Sequence, residues 1–471
     1  MLERYCPRLV GAVSLLLAVI GPSVSHAAPK PVPPSPYIGI VYRYADAIVQ
    51  HGRDAHGPQS TGLILSALDR KSLQPLTSRP NPPAGITEAV RAGEQNGPLI
   101  AANPIHDANL LRLLYTLTEL STKPMYRDAA DGDLRWFLQN ASLTKSTMAP
   151  WDERIAWDVI TDQPLRVASA AALPRRAWML WDRCFELSPD ISKQWATALR
   201  VELSSGEVVP HRVGFALRAL ACAFEKTRDE SLLSAIESLL APLETAHSKH
   251  GKSADGSPSP STASLASWLS AAIDCDGAAK RIPTSLAVRL HTLAEHMDDS
   301  FCSMPHDLKG RHGFTLSYKG SPESPNTTPL WTASLEQPTT AQVAMMCVSR
   351  YENTGDIRYR ELIHGAAHAY AGNLPSEDAD VWPLTFGQAI CLELAAWRST
   401  SRQQYLDSAI KLADTAVQTF WTDSPLPKAS SKSDHYESIT GSDTLALAMV
   451  ELHLSILGIT AVRCPPNTID R

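Results

Sequence analysis

Asp434, His435, Tyr436 and Glu437 stand side by side in the stretch SDHYESITGSD, which runs straight into the apolar run TLALAMVELHLSIL. Neighbouring groups that accept or donate protons ahead of a helix have two uses. They can decorate an N-terminus, or they can move protons on a substrate. Similar clusters recur along the chain. NPIHDANL sets His106 beside Asp107, and WDERIAWD holds Trp151, Asp152, Glu153, Trp157 and Asp158. MPHDLKGRHGFTLSYKG carries Arg311, His312 and Tyr318, while LWTASLEQPTTAQ and DADVWPLTFG contribute Trp331 and Trp382.

Two chemistries suit these residue types. β-Elimination from a uronic acid needs a base for the C5 proton and positive charge on the carboxylate. His106, His312, Tyr318 or His435, with Tyr436 beside it, can carry the proton, and Arg311 can neutralise the carboxylate. Glycoside hydrolysis needs an acid and a base, here from Asp107, Asp152, Glu153, Asp158 and Glu437. An inverting pair stands roughly 6.5–9.5 Å apart and a retaining pair about 5 Å. Trp151, Trp157, Trp331 and Trp382 offer flat faces for sugar rings, with Asp158 as a hydrogen-bonding neighbour. A third reading has no chemistry: the clusters are caps and contact residues of a glycan-binding scaffold. Serine-hydrolase, zinc-protease and P-loop templates are absent. Adjacent His and Asp point to different sides and make a poor chelate, so the sequence defines no metal or cofactor site and leaves a divalent cation open.

These clusters must be mounted on something, and the rest of the chain reads helical nearly everywhere. Four segments share one pattern. An apolar helix ends at Ser121, Thr227, Thr354 or Thr400, and five residues later comes Tyr126, Leu232, Tyr359 or Tyr405. A short polar turn reverses the chain, and the large anchor packs the second helix back onto the first. The segments RRAWMLWDRCFELSPDISKQWATALRVEL and SLASWLSAAIDCDGAAKRIPTSLAVRLHTLAEHMDDSF make two further pairs, six in all. Helices over Ile38–Gln50 and Asp443–Leu457 remain, and they can meet to close the array.

Connections within pairs are short, and those between pairs are long. With first helices inside and second helices outside, every long loop emerges on one rim. The expected fold is all-α, an α/α toroid of about six to seven hairpins, with an open solenoid as the competing geometry.

The TGDIRY turn, the signal-like start, and the rim motifs NPIHDANL, WDERIAWD and SDHYESITGSDTLALA together resemble exported bacterial proteins of the six-hairpin α/α-toroid class, some with pectate-lyase-like relatives. The resemblance implies a carbohydrate-active role at the funnel, with a polysaccharide or oligosaccharide as partner. Toroid lyases use His or Tyr with Arg or Asn on uronic acids, and toroid hydrolases use paired carboxylates.

The bulk properties fit export. MLERYCPR, a short apolar run and Ser25-His26-Ala27 read as a signal peptide over residues 1–27. A Pro-rich leader follows over 28–36, and one domain over 37–471. The expected location is the periplasm or beyond. No later run reaches about 18 apolar residues, so no membrane span is expected. Cleavage lowers the 43 basic and 49 acidic residues to 41 and 48, a balance that argues against nucleic acid. Seven cysteines remain after Cys6 is lost, and the odd number requires a free thiol; mostly structural thiols with at most one disulfide are expected.

Overall fold

One turn design, used four times, organises the chain. The closing Ser121, Thr227, Thr354 and Thr400 hydroxyls donate to the carbonyl four residues back at 2.6, 2.7, 2.8 and 2.7 Å. The same oxygens accept the N–H two residues on, at 3.2, 3.4, 3.2 and 3.3 Å. Between them Thr122, Arg228, Gly355 and Ser401 take the left-handed conformation that ends a helix. The anchors Tyr126, Leu232, Tyr359 and Tyr405 are buried. Two tyrosine anchors also find a carboxylate on a neighbouring outer helix: Tyr126 donates to Asp46 at 2.7 Å and Tyr359 to Asp298 at 2.6 Å.

The computed structural model describes residues 35–91, 97–141, 155–166, 177–203, 208–249, 264–310, 313–318, 325–331, 334, 337–460, 462 and 464–467. The signal peptide and the leader up to Pro34 lie outside the described residues, as do Trp151, Asp152, Glu153, Arg311 and His312. From Ser35 onward the chain groups as one compact unit. Fourteen α-helices occur among the described residues: α1 Pro36–His51, α2 Ala108–Ser121, α3 Pro124–Ala141, α4 Trp181–Leu187, α5 Pro189–Leu203, α6 Pro210–Thr227 and α7 Ser231–Lys249. The others are α8 Leu265–Ala279, α9 Thr284–Cys302, α10 Thr340–Thr354, α11 Ile357–Tyr370, α12 Pro383–Thr400, α13 Gln403–Phe420 and α14 Ser442–Leu457. Ser35 and Pro36, expected in the leader, are the N-cap and first residue of α1; the Ser35 hydroxyl accepts from the Tyr37 N–H, and proline suits a first turn that has no partner for its N–H.

The even-numbered helices form an inner ring and the odd-numbered ones an outer ring. α6 packs on α8, α8 on α10, α10 on α12 and α12 on α14, and α14 reaches both α1 and α2. The array therefore closes into an α/α toroid, with α14 and α1 as a seventh hairpin. Burial follows position. α8, α12 and α14 are apolar nearly all round, whereas outer helices such as α13 bury one stripe. Inner helices approach closely through glycine: a Cβ on Gly387 of α12 would lie 2.8 Å from the Leu445 backbone of α14.

The long loops hold short ladders that the helical reading did not anticipate. β1 Ala67–Leu68 pairs with β7 Tyr436–Glu437, and β2 Ala101–Ala102 pairs with β3 Ile155–Asp158, which pairs with β4 Gln163–Arg166. β5 Thr315–Tyr318 and β6 Pro325–Thr327 form a hairpin, and β5 packs on α8. Two-residue strands leave no alternation to read, so their pairing exists only in three dimensions. Among the described residues no helix is long and apolar enough to cross a membrane. Cys184, Cys222, Cys275, Cys302, Cys347, Cys391 and Cys464 are all free thiols.

Candidate functional site

The inner helices run parallel, so their N-termini share a rim. The start of α2 meets the start of α14, where Leu110 N–H donates to Asp443 Oδ2 at 3.1 Å. The start of α6 meets the start of α8, where His211 Nδ1 lies 2.8 Å from Ser267 Oγ. α4 begins low in the ring: its Asp182 pairs with Arg281, just beyond the end of α8.

The SDHYESITG cluster sits on this rim but inside the protein. Glu437 is 2% exposed and takes two parallel bonds from Arg91, at 2.8 and 2.9 Å. His435 Nε2 lies 2.9 Å from Glu437 Oε2. Burial alone would push the Glu437 carboxyl up; the bonds from His435 and Arg91 outweigh it and bring the pKa to about 2. Glu437 therefore stays ionised and has no proton to give near neutral pH. Tyr436 is fully buried, its hydroxyl 3.1 Å from that of Tyr44, and burial raises its pKa. Asp434 pairs with the buried Arg70. The cluster thus anchors β7 to β1 and ties the long loop to distant arginines.

The other candidates divide. His106 and Asp107 are buried at the start of α2, where Asp107 is the N-cap residue. Asp158 Oδ1 accepts from the Ile160 and Thr161 N–H groups at 2.8 and 3.1 Å, a turn-forming role. Trp157 packs edge-on against Trp136, with centroids 4.6 Å apart, and Trp382 is 1% exposed. Both indoles belong to the core, which corrects their reading as sugar platforms: a buried ring presents no face to a ligand. Trp331 is half-buried; its Nε1 donates to Asn373 O at 2.9 Å and its ring packs on Phe386 and Tyr370. Tyr318 ends β5 on the rim.

Sequence reasoning passed over His211. It lies in the rim stretch GEVVPHRVG, but only folding brings it to Ser267, 56 positions on. Unlike His106 and His435, it is half-buried rather than enclosed. The Ser267 hydroxyl also accepts the His211 backbone N–H at 3.3 Å, which fixes the ring's position. An imidazole can both accept and donate a proton near neutral pH.

At the opposite end of the ring, Asp182, Cys222 and Glu225 bring ligand-type atoms within 4.8 Å of one another. They do not fit a metal. Arg281 donates to Asp182 at 2.7 Å and pairs with Glu225, and Lys226 reaches Asp182 at 2.9 Å. The bond from Arg281 holds Asp182 down at about 2, and burial pushes the Cys222 thiol up to about 11. A guanidinium already fills the cation's place beside a protonated thiol.

Neither a protein-family profile nor a curated protein sequence matches this chain. Solved structures do. A D-mannose isomerase superposes with a TM-score of 0.50 at 9% identity, over 89% of this chain and 97% of its own. A cellobiose 2-epimerase from Bacillus thermoamylovorans gives 0.47 at 10% identity, over 88% of this chain and 99% of its own. A GH76 alpha-mannanase from Bacteroides thetaiotaomicron gives 0.46 at 12% identity, over 90% and 97%. Likeness at such low identity concerns the fold. The chain is an all-α protein of the α/α-toroid fold.

Proposed function

We propose that this chain is an exported carbohydrate-active enzyme working at the rim where the inner helices begin, and that it is a lyase acting on a uronate-containing glycan. Export rests on the signal-like residues 1–27. The observation that carries the activity is the half-buried His211–Ser267 pair, 2.8 Å apart, at the N-termini of α6 and α8. Helix N-termini carry positive partial charge and favour an anion such as a uronate carboxylate. β5, which bears Tyr318, packs on the same α8.

In β-elimination a base removes the C5 proton, the C4–O4 bond breaks, and a C4=C5 double bond forms as O4 is protonated. His211 suits the first step. Two carboxylates of the hydrolytic alternative, Glu437 and Asp158, are already engaged in an ion pair and a turn. The D-mannose isomerase that shares the fold is, by its name, a sugar enzyme.

The test is incubation of the purified protein with polygalacturonate, alginate and glycosaminoglycans while unsaturated-product absorbance is followed. Absorbance growth on one of them supports the lyase. Reducing ends released without unsaturation would replace it with a hydrolase whose acid and base come from Asp107, Asp152 and Glu153. Binding without any product would leave a glycan-binding scaffold.

A further inference from the structure

Beyond α14 the chain turns back along the ring. Cys464 Sγ lies 3.6 Å from Leu447 O of α14. Arg112 of α2 donates through Nη2 to Pro466 O at 3.0 Å. The Asn467 carboxamide donates to Thr444 O of α14 at 2.9 Å and to Cys391 Sγ of α12 at 3.3 Å, and it accepts from Asn109 Nδ2 of α2 at 3.2 Å. Pro466 also lines a cavity of about 550 Å³ together with Asp182 of α4, Arg218 of α6, Gly277 of α8 and Asn353 of α10. Only the axial face of the ring is common to all seven inner helices, so these residues run along the toroid's axis.

The hold on them is uneven. Pro465 and Pro466 have no N–H to offer the walls. Pro466 is exposed towards the cavity, and Cys464 and Pro465 are half-buried. Asn467 alone of the four is enclosed, at 1% exposure, and it makes most of the polar contacts. Consecutive prolines keep such a strand extended whether or not it is docked, so little order is lost or gained when it moves.

We propose that Cys464–Asn467 is a displaceable plug in the toroid's axial channel, with the Asn467 carboxamide as its latch. Latched, the segment stands between the rim and the cavity bordered by α4, α6, α8 and α10. Released, it joins the two. The device does not depend on whether His211 is catalytic.

Cysteine labelling tests it on the full-length chain. Burial holds the Cys464 thiol above its ordinary pKa, so a thiol brought into water gains thiolate and reacts faster. Wild type and Asn467→Ala are treated with iodoacetamide under native conditions, and each cysteine's alkylation is followed by peptide mass. Cys464 in Asn467→Ala should react roughly tenfold faster or more, while Cys275 and Cys347 stay protected. Asn109→Ser removes one of the three Asn467 contacts from the wall side and should raise the Cys464 rate in the same direction. An unchanged Cys464 rate in both variants overturns the plug. So does a rise shared by Cys464, Cys275 and Cys347, or failure of both variants to fold, since either makes the segment part of the core.

Discussion

Arg91 and Glu437 are 346 positions apart and meet through two parallel hydrogen bonds of 2.8 and 2.9 Å, with both side chains almost wholly out of water. This pair explains why four protonatable groups crowd ahead of α14. They serve the closure of the ring: the loop before the last inner helix is fastened to a loop that precedes the first.

Arg91→Met strands a buried carboxylate and should cost about 3–5 kcal/mol, part of which Glu437→Gln should recover in the double variant. The pH dependence has a definite sign. The Glu437 pKa is lowered from 4.5 to about 2, so its contribution is present above 4.5 and is lost as pH falls from there to about 2. Melting temperatures measured down this range should fall more steeply for wild type than for Glu437→Gln. Equal slopes would show that the pair does not set acid stability.

Asp133 behaves in the opposite way. It is fully buried, and burial raises its pKa from 3.8 to about 7, against the lowering effects of the Ile64 N–H bond and the Arg53 charge. Its contribution is therefore greatest below 3.8 and declines as pH rises to about 7. Asp133→Asn keeps an acceptor for Ile64 N, which lies 2.7 Å from Oδ1. The variant should be more stable than wild type at pH values above this window and should lose the decline within it. Urea midpoints across the range decide the matter; an unstable variant at alkaline pH contradicts the assignment.

Glycine sets the spacing of the inner ring. A Cβ on Gly387 would press on Leu445 N and Cα at 2.8 Å, backbone atoms that cannot rotate away. Gly387→Ala should cost about 1–3 kcal/mol. Gly39 of α1 is the contrast, since the nearest atom to its Cβ would be the mobile Arg43 Nη1 at 3.7 Å. Gly39→Ala should stabilise by about 0.5–1 kcal/mol through helix propensity. Denaturant unfolding of the two variants should move in opposite directions.

His211 is the rim residue whose loss should silence chemistry without unfolding the chain. Once a substrate is in hand, His211→Ala should lower kcat/KM by about 10²–10⁴-fold, with a smaller loss for Ser267→Ala. The melting temperature should change little, because His211 is only half-buried. Retained activity in His211→Ala would move the chemistry elsewhere on the rim.

Much of the architecture was legible because its causes are local. Ser121, Thr227, Thr354 and Thr400 mark the last residue of their helices, since a hydroxyl that bonds back four residues and forward two closes a helix within one turn. The anchors five positions on followed from the same turn. Trp157 and Trp382 show the limit. An aromatic beside a carboxylate reads alike whether its face meets a sugar or another indole, and only packing chose the core.

The sequence by itself determined the helices, their pairing and the order of inner and outer faces, because turn chemistry and the helical period act over a few residues. Tertiary structure alone decided which polar groups are enclosed and which lie half-buried at the rim. Arg91 met Glu437, His211 met Ser267 and Asn467 entered the ring by closure of the toroid. Burial and charge pairing between segments hundreds of residues apart depend on distance in space, for which spacing along the chain carries no code.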